Sequence, residues 1–124
     1  MNRFPISTRT RPLLFALMLC LAWAVPAVQK DSATQQLEFG VKVALKGSWN
    51  EAAFRFEKSV QANAGNARAW CNLAVARESL GQFDAARQAY EKAIALAPKE
   101  QRIRENYDRF QNYMKSTHRG SGAP

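Results

Sequence analysis

A 34-residue internal repeat constrains this chain more than any other feature. Residues 33–66 and 67–100 align without a gap. Identical pairs are Ala33/Ala67, Val41/Val75, Gly47/Gly81, Ala52/Ala86, Glu57/Glu91 and Lys58/Lys92. Similar pairs are Phe39/Leu73, Trp49/Phe83, Asn50/Asp84, Phe56/Tyr90 and Val60/Ile94. A unit of this size is one supersecondary element used twice. Neither copy can bury its apolar face alone, so each must stack on a neighbour. With 47% apolar residues the chain has enough material for such a core.

Local signals make each unit a helical hairpin. From Ser32 to Lys46, Leu37, Phe39, Gly40, Val43 and Ala44 recur near helical spacing. Gly47 and Gly81 follow the first helix of each copy, where a left-handed residue ends a helix without a Cβ penalty. Asn50, Asn66 and Asp84 are the predicted N-caps of helices over 51–62, 67–80 and 85–97. Pro98 ends the last of these. Small residues at Gly40, Ala52, Ala74, Ala86 and Ala93 let helix backbones approach, and Trp49, Phe56, Trp70, Phe83 and Tyr90 fill the space between.

A fifth helix is expected over 99–115. Ile103, Tyr107, Phe110 and Met114 form one apolar stripe, and the other face is charged. Such a helix covers the last hairpin with its apolar side and meets water with the other. The segment 116–124, small, polar and rich in Gly and Pro, is expected to be disordered.

The second copy resembles a tetratricopeptide repeat closely. Trp70, Leu73, Ala74, Phe83, Ala86, Tyr90, Ala93 and Pro98 fall where that family places its large, small and chain-ending residues. Arg77 stands where the family usually has Tyr. The first copy keeps Phe39, Gly40, Trp49, Ala52, Phe56 and Ser59, but has Gln36 for the first aromatic and Ala64 for the Pro. The resemblance implies an all-α fold: two tetratricopeptide hairpins plus a C-terminal capping helix, in a right-handed superhelical α-solenoid. The domain then spans 28–115.

The family lines its concave surface with the first helix of each hairpin. By resemblance that places Thr34, Leu37, Glu38, Val41 and Ala44, then Arg68, Cys71, Asn72, Val75 and Glu78, along a groove. The capping helix adds Arg102, Glu105, Asn106 and Arg109. The peptide-binding candidates are Leu37, Val41, Arg68, Asn72, Val75, Arg102 and Arg109. They suit a peptide with an apolar anchor and an acidic group; the alternative is an ordinary helix surface with no dedicated ligand. Chaperone-tail recognition is not expected. Of its five carboxylate-holding positions, Asn72 matches and Arg102 replaces a Lys, but Leu37, Val41 and Asn106 do not fit.

The first 27 residues read as an address. Arg3, Arg9 and Arg11 precede an apolar run from Pro12 to Val25, and Val25-Pro26-Ala27 suits cleavage after Ala27. An uncleaved N-terminal anchor is the alternative, and Cys20 raises lipidation as a third option. Residues 1–27 hold three of the eighteen Lys and Arg and none of the ten acids, so their removal lowers the net charge from +8 to +5. It also leaves Cys71 as a lone thiol, either inert in the core or groove or open to intermolecular pairing. An exported location, periplasmic or secreted, follows; a retained segment would instead tether the repeats to a membrane, facing outward.

The sequence carries no catalytic constellation. The single histidine, His118, is in the tail, and there is no phosphate loop and no CxxC. No cofactor or metal is expected. The basic residues are spread along all five helices among acids, which does not make a nucleic-acid face. The expected role is non-enzymatic: an interaction module or assembly factor for a protein or peptide, with self-association through the open N-terminal edge as a further option.

Overall fold

The computed structural model describes residues 32–120. The expectations for residues 1–27 and 121–124 lie outside these. Helix α1 covers 32–45. It is followed by α2 (Trp49–Ala62), α3 (Ala67–Ser79), α4 (Phe83–Leu96) and α5 (Gln101–Gly120). No strand is present among the described residues, and the all-α hairpin stack expected from the sequence is what forms.

Both hairpin turns are one motif. Gly47 and Gly81 have φ of 78° and 73°. At the first turn the Ser48 N–H donates to the Val43 carbonyl and the Gly47 N–H to that of Ala44. At the second, Gln82 donates to Arg77 and Gly81 to Glu78. This double closure satisfies the last carbonyls of the helix and turns the chain through a left-handed glycine. It also corrects two expected caps. The preceding residues Ser48 and Gln82 take the cap positions, with no side-chain cap bond, and the helices begin at Trp49 and Phe83. The turn itself sets the entry direction, so Asn50 and Asp84 fall inside the first turn. Asn66 is a cap as expected, its Oδ1 accepting from the Ala69 N–H at 3.2 Å.

Helix α3 is the central element, packing against α2, α4 and α5. Ala52, Phe56, Leu73, Ala74, Ala86, Tyr90 and Ala93 are buried between the helices. Ser59 is buried too, its hydroxyl donating to the Ala33 carbonyl at 2.9 Å and tying α2 to the start of α1. The connector before α3 is held by the Trp70 indole, which donates to the Ala64 carbonyl at 2.9 Å. Arg77, at the position that departs from the repeat pattern, donates to Glu57 at 3.3 Å and bridges α3 to α2.

On α5, Ile103 and Phe110 are buried and Tyr107 and Met114 pack against the core, as the stripe requires. The helix extends past its expected end. Residues 116–120 are helical, so His118 stands on α5. The hydroxyls of Ser116 and Thr117 donate to the carbonyls of Tyr113 and Met114. Such local bonds are compatible with a helix that already has its turns in place.

Candidate functional site: the concave groove

Three adjoining pockets follow the first helices of the stack. The first, about 170 Å³, is lined by Val41, Ala44, Leu45, Trp49, Phe56, Asn72 and Val75. Its walls are apolar apart from the Asn72 amide. The second is lined by Glu38, Val41, Lys42, Arg68 and Asn72. The third, about 620 Å³, lies between α3 and α5, with Arg68, Cys71, Asn72, Glu100, Arg102 and Asn106 among its walls. Asn72 borders all three. An amide there can donate and accept, which suits a backbone running past it.

The stack brings together Val41, Asn72 and Val75 at the apolar end, and Arg68, Asn72 and Arg102 at the polar end. Arg109 is exposed on α5 and borders none of the three pockets. Leu37 is a correction: it is 2% exposed and belongs to the core. Its counterpart one period later, Cys71, is buried as well. Asn106 of α5 donates to Cys71 Sγ at 3.4 Å, so the next first-type helix lies over this position. Glu105, a further period on, has no later helix among the described residues and is exposed. Leu45 and Trp49 were not among the expected groove residues. Leu45 is 84% exposed, and an apolar residue in the last turn before Gly47, off the buried stripe, was the available signal.

Two buried groups, Cys71 in the wall of the third pocket and Tyr90 in the core, are held neutral. Burial pushes the Cys71 thiol up from its ordinary value, opposed by the Asn106 hydrogen bond and by Arg109. Burial also raises the Tyr90 phenol, and the bond it donates to Glu78 Oε2 at 2.9 Å adds to the rise. The folded state therefore keeps protons that the unfolded chain releases above about pH 9 for the thiol and about pH 10 for the phenol. Stability is complete below those values and falls as pH rises through them. Thermal melts between about pH 8 and pH 11 are expected to show a steady decline, with the upper part flattened in Tyr90→Phe. A melting temperature independent of pH over that range would contradict this account.

Among the described residues no group of three or more His, Cys, Asp or Glu could hold a metal ion. No described helix is long and apolar enough to cross a membrane.

The architecture is that of an α-solenoid built from helical hairpins. More specifically, residues 67–100 match the family model of the tetratricopeptide repeat. The chain is similar to the crystal structure of the Sgt2 tetratricopeptide domain from Aspergillus fumigatus. That likeness has a TM-score of 0.66 at 19% identity, covering 98% of this chain and 91% of that one. It is also matched to the Arabidopsis OM64 tetratricopeptide domain, with a TM-score of 0.37 at 18% identity, covering 68% of this chain and 98% of that one. No curated protein matches the chain. The fold is therefore the tetratricopeptide fold.

Proposed function

We propose that this chain is an exported, non-enzymatic interaction module that holds a segment of a protein partner along its concave face. One observation carries the reading: the groove is continuous and polarised. An apolar pocket formed with Val41, Leu45, Trp49 and Val75 leads through Asn72 to Arg68 and Arg102. A partner segment with a large apolar side chain near one end and a carboxylate further along would satisfy both ends. The apolar contact supplies most of the affinity, and the guanidinium groups set orientation. Export is supported by the basic head and apolar run that precede the repeats.

Affinity purification from the native host tests the groove, comparing wild type with Val41→Glu and Arg102→Glu. Both side chains are exposed, so the fold is expected to survive. Loss of the same bound protein in both variants is the expected result; an unchanged bound set would sink the groove reading. N-terminal sequencing tests export separately. A mature end near Val28 supports cleavage, whereas an intact Met1 in the membrane fraction would replace it with a tethered scaffold.

A further inference from the structure

The two hairpins can be compared position by position through the 34-residue period. In the second, Ala69, Leu73, Ala76 and Ala89 are each at most 1% exposed. One period earlier stand Gln35, Phe39, Lys42 and Arg55. Gln35 and Lys42 are exposed, Phe39 is 44% exposed and Arg55 is half-buried. Both hairpins have a helix packed after them. What differs is the unit ahead: α3 and α4 have the first hairpin, while α1 and α2 have no counterpart among the described residues. The first three positions are on α3, the helix that packs against α2 of the preceding unit, and Ala89 is on α4, which packs against α3.

The open face is not a plain solvated edge. It keeps Phe39, and Phe54 at its rim is 48% exposed where the second hairpin has Gln88. The Arg55 guanidinium lies 4.5 Å from the Phe39 ring centroid and 5.5 Å from that of Phe54. Lys58 Nζ is 5.5 Å from the Phe54 ring. A cation over an aromatic ring shields it from water without filling the space a helix would occupy. The other end of the stack is closed differently. One period on from Trp70, Ala74 and Arg77, α5 carries Arg104, Asp108 and Gln111, a polar surface.

Charge on the open face is mainly positive. Lys42, Arg55 and Lys58 stand against Glu38 and Glu51; Arg55 and Glu51 pair at 2.7 Å, which leaves Lys42 and Lys58 against Glu38. We propose that the outer face of α1 and α2 is a second docking surface, taking an amphipathic helix of a partner protein whose apolar stripe is flanked by acidic residues. The helical occupant follows from the equivalent face of the second hairpin, which packs against helices. Its acidity follows from the cations that rim Phe39 and Phe54. A second copy of this chain fits less well, because a two-fold contact would set Lys42, Arg55 and Lys58 against themselves. This surface is centred on Phe39, Phe54 and Arg55, which line none of the groove pockets, and meets the groove only along its edge at Glu38 and Lys42.

The test uses the full chain and two synthetic peptides of about 18 residues, long enough to hold a helix. Each has a Leu stripe, flanked by Glu in one and by Lys in the other. Fluorescence anisotropy is expected to show the Glu peptide binding at least roughly tenfold more tightly than the Lys peptide. Phe39→Ser should weaken the Glu peptide by roughly tenfold, and the double variant Arg55→Glu/Lys58→Glu should reverse the preference. Val41→Glu in the groove should leave binding unchanged, and circular dichroism confirms that each variant is folded. Equal binding of both peptides, or sensitivity to Val41→Glu without sensitivity to Phe39→Ser, would overturn the proposal. So would a Phe39-dependent dimer in sedimentation, which gives the face to a second copy. Peptide binding only after removal of residues 1–27 would overturn it as well, since the chain's own leader would then be the occupant.

Discussion

Tyr90→Ala is expected to destabilise the protein by about 3–5 kcal/mol, read as a lower urea midpoint and melting temperature. The Tyr90 side chain is fully buried on α4. Its ring lies 5.3 Å from that of Phe110 and 5.7 Å from that of Tyr107, so it joins the second hairpin to α5. Truncation leaves a cavity beneath the capping helix, and rigid helices on both sides cannot close it cheaply. Since domains of this size are stable by about 5–15 kcal/mol, the loss is a large share of the total. Tyr90→Phe separates ring from hydroxyl. It removes only the donor to Glu78 and is expected to cost about 1 kcal/mol. If both variants cost the same, the hydroxyl bond that ties α4 to Glu78 of α3, and not the aromatic cluster against α5, would carry the stability of this side chain.

The same region shows what the sequence could and could not reveal. The apolar stripe Ile103, Tyr107, Phe110 and Met114 identified α5 and its buried side, because helical spacing places those residues on one face. Gly47 and Gly81 identified the hairpin turns, because a left-handed residue at a helix end has few alternatives to glycine. Asn50 and Asp84 were misread because a capping residue was expected at each helix start, whereas a six-residue turn closure had already fixed the entry. The helical residues 116–120 were missed for a related reason. Composition says what a segment prefers in isolation, not what a helix already under way will extend into.

The groove was half legible. Val41, Asn72 and Val75 meet at the apolar end, and Arg68 and Arg102 at the other, because the repeat period carries one geometry from helix to helix. Leu37 was misplaced because spacing tells which side of a helix a residue occupies, not how much of that side the next helix covers. The N-terminal face was foreseen only as an open edge. Its aromatic pair under Arg55 needed coordinates, since Phe39 and Arg55 are on different helices.

Gly40→Ala gives the sharpest test of how closely α1 and α2 approach. Helix propensity alone favours Ala over Gly by about 1 kcal/mol, so an exposed helical glycine would gain from this change. Here a Cβ would sit 2.6 Å from Phe56 Cε1 and 2.7 Å from Cδ1, with Arg55 Cβ at 3.2 Å. Phe56 is only 2% exposed, so its ring has no solvent to swing into. The helices must separate instead, and overpacking of this kind costs about 1–3 kcal/mol. The net expectation is a loss of up to about 2 kcal/mol for Gly40→Ala and more for Gly40→Val. Phe56→Leu removes the ring that the new methyl meets. In a double-mutant cycle the pair Gly40→Ala/Phe56→Leu is therefore expected to be less destabilised than the sum of the single variants. Simple additivity, or stabilisation by Gly40→Ala alone, would mean that α1 and α2 lie further apart than the Gly40–Phe56 contact requires. The shielding of Phe39 depends on that spacing as well, because Arg55 of α2 reaches the Phe39 ring only while the two helices stay this close.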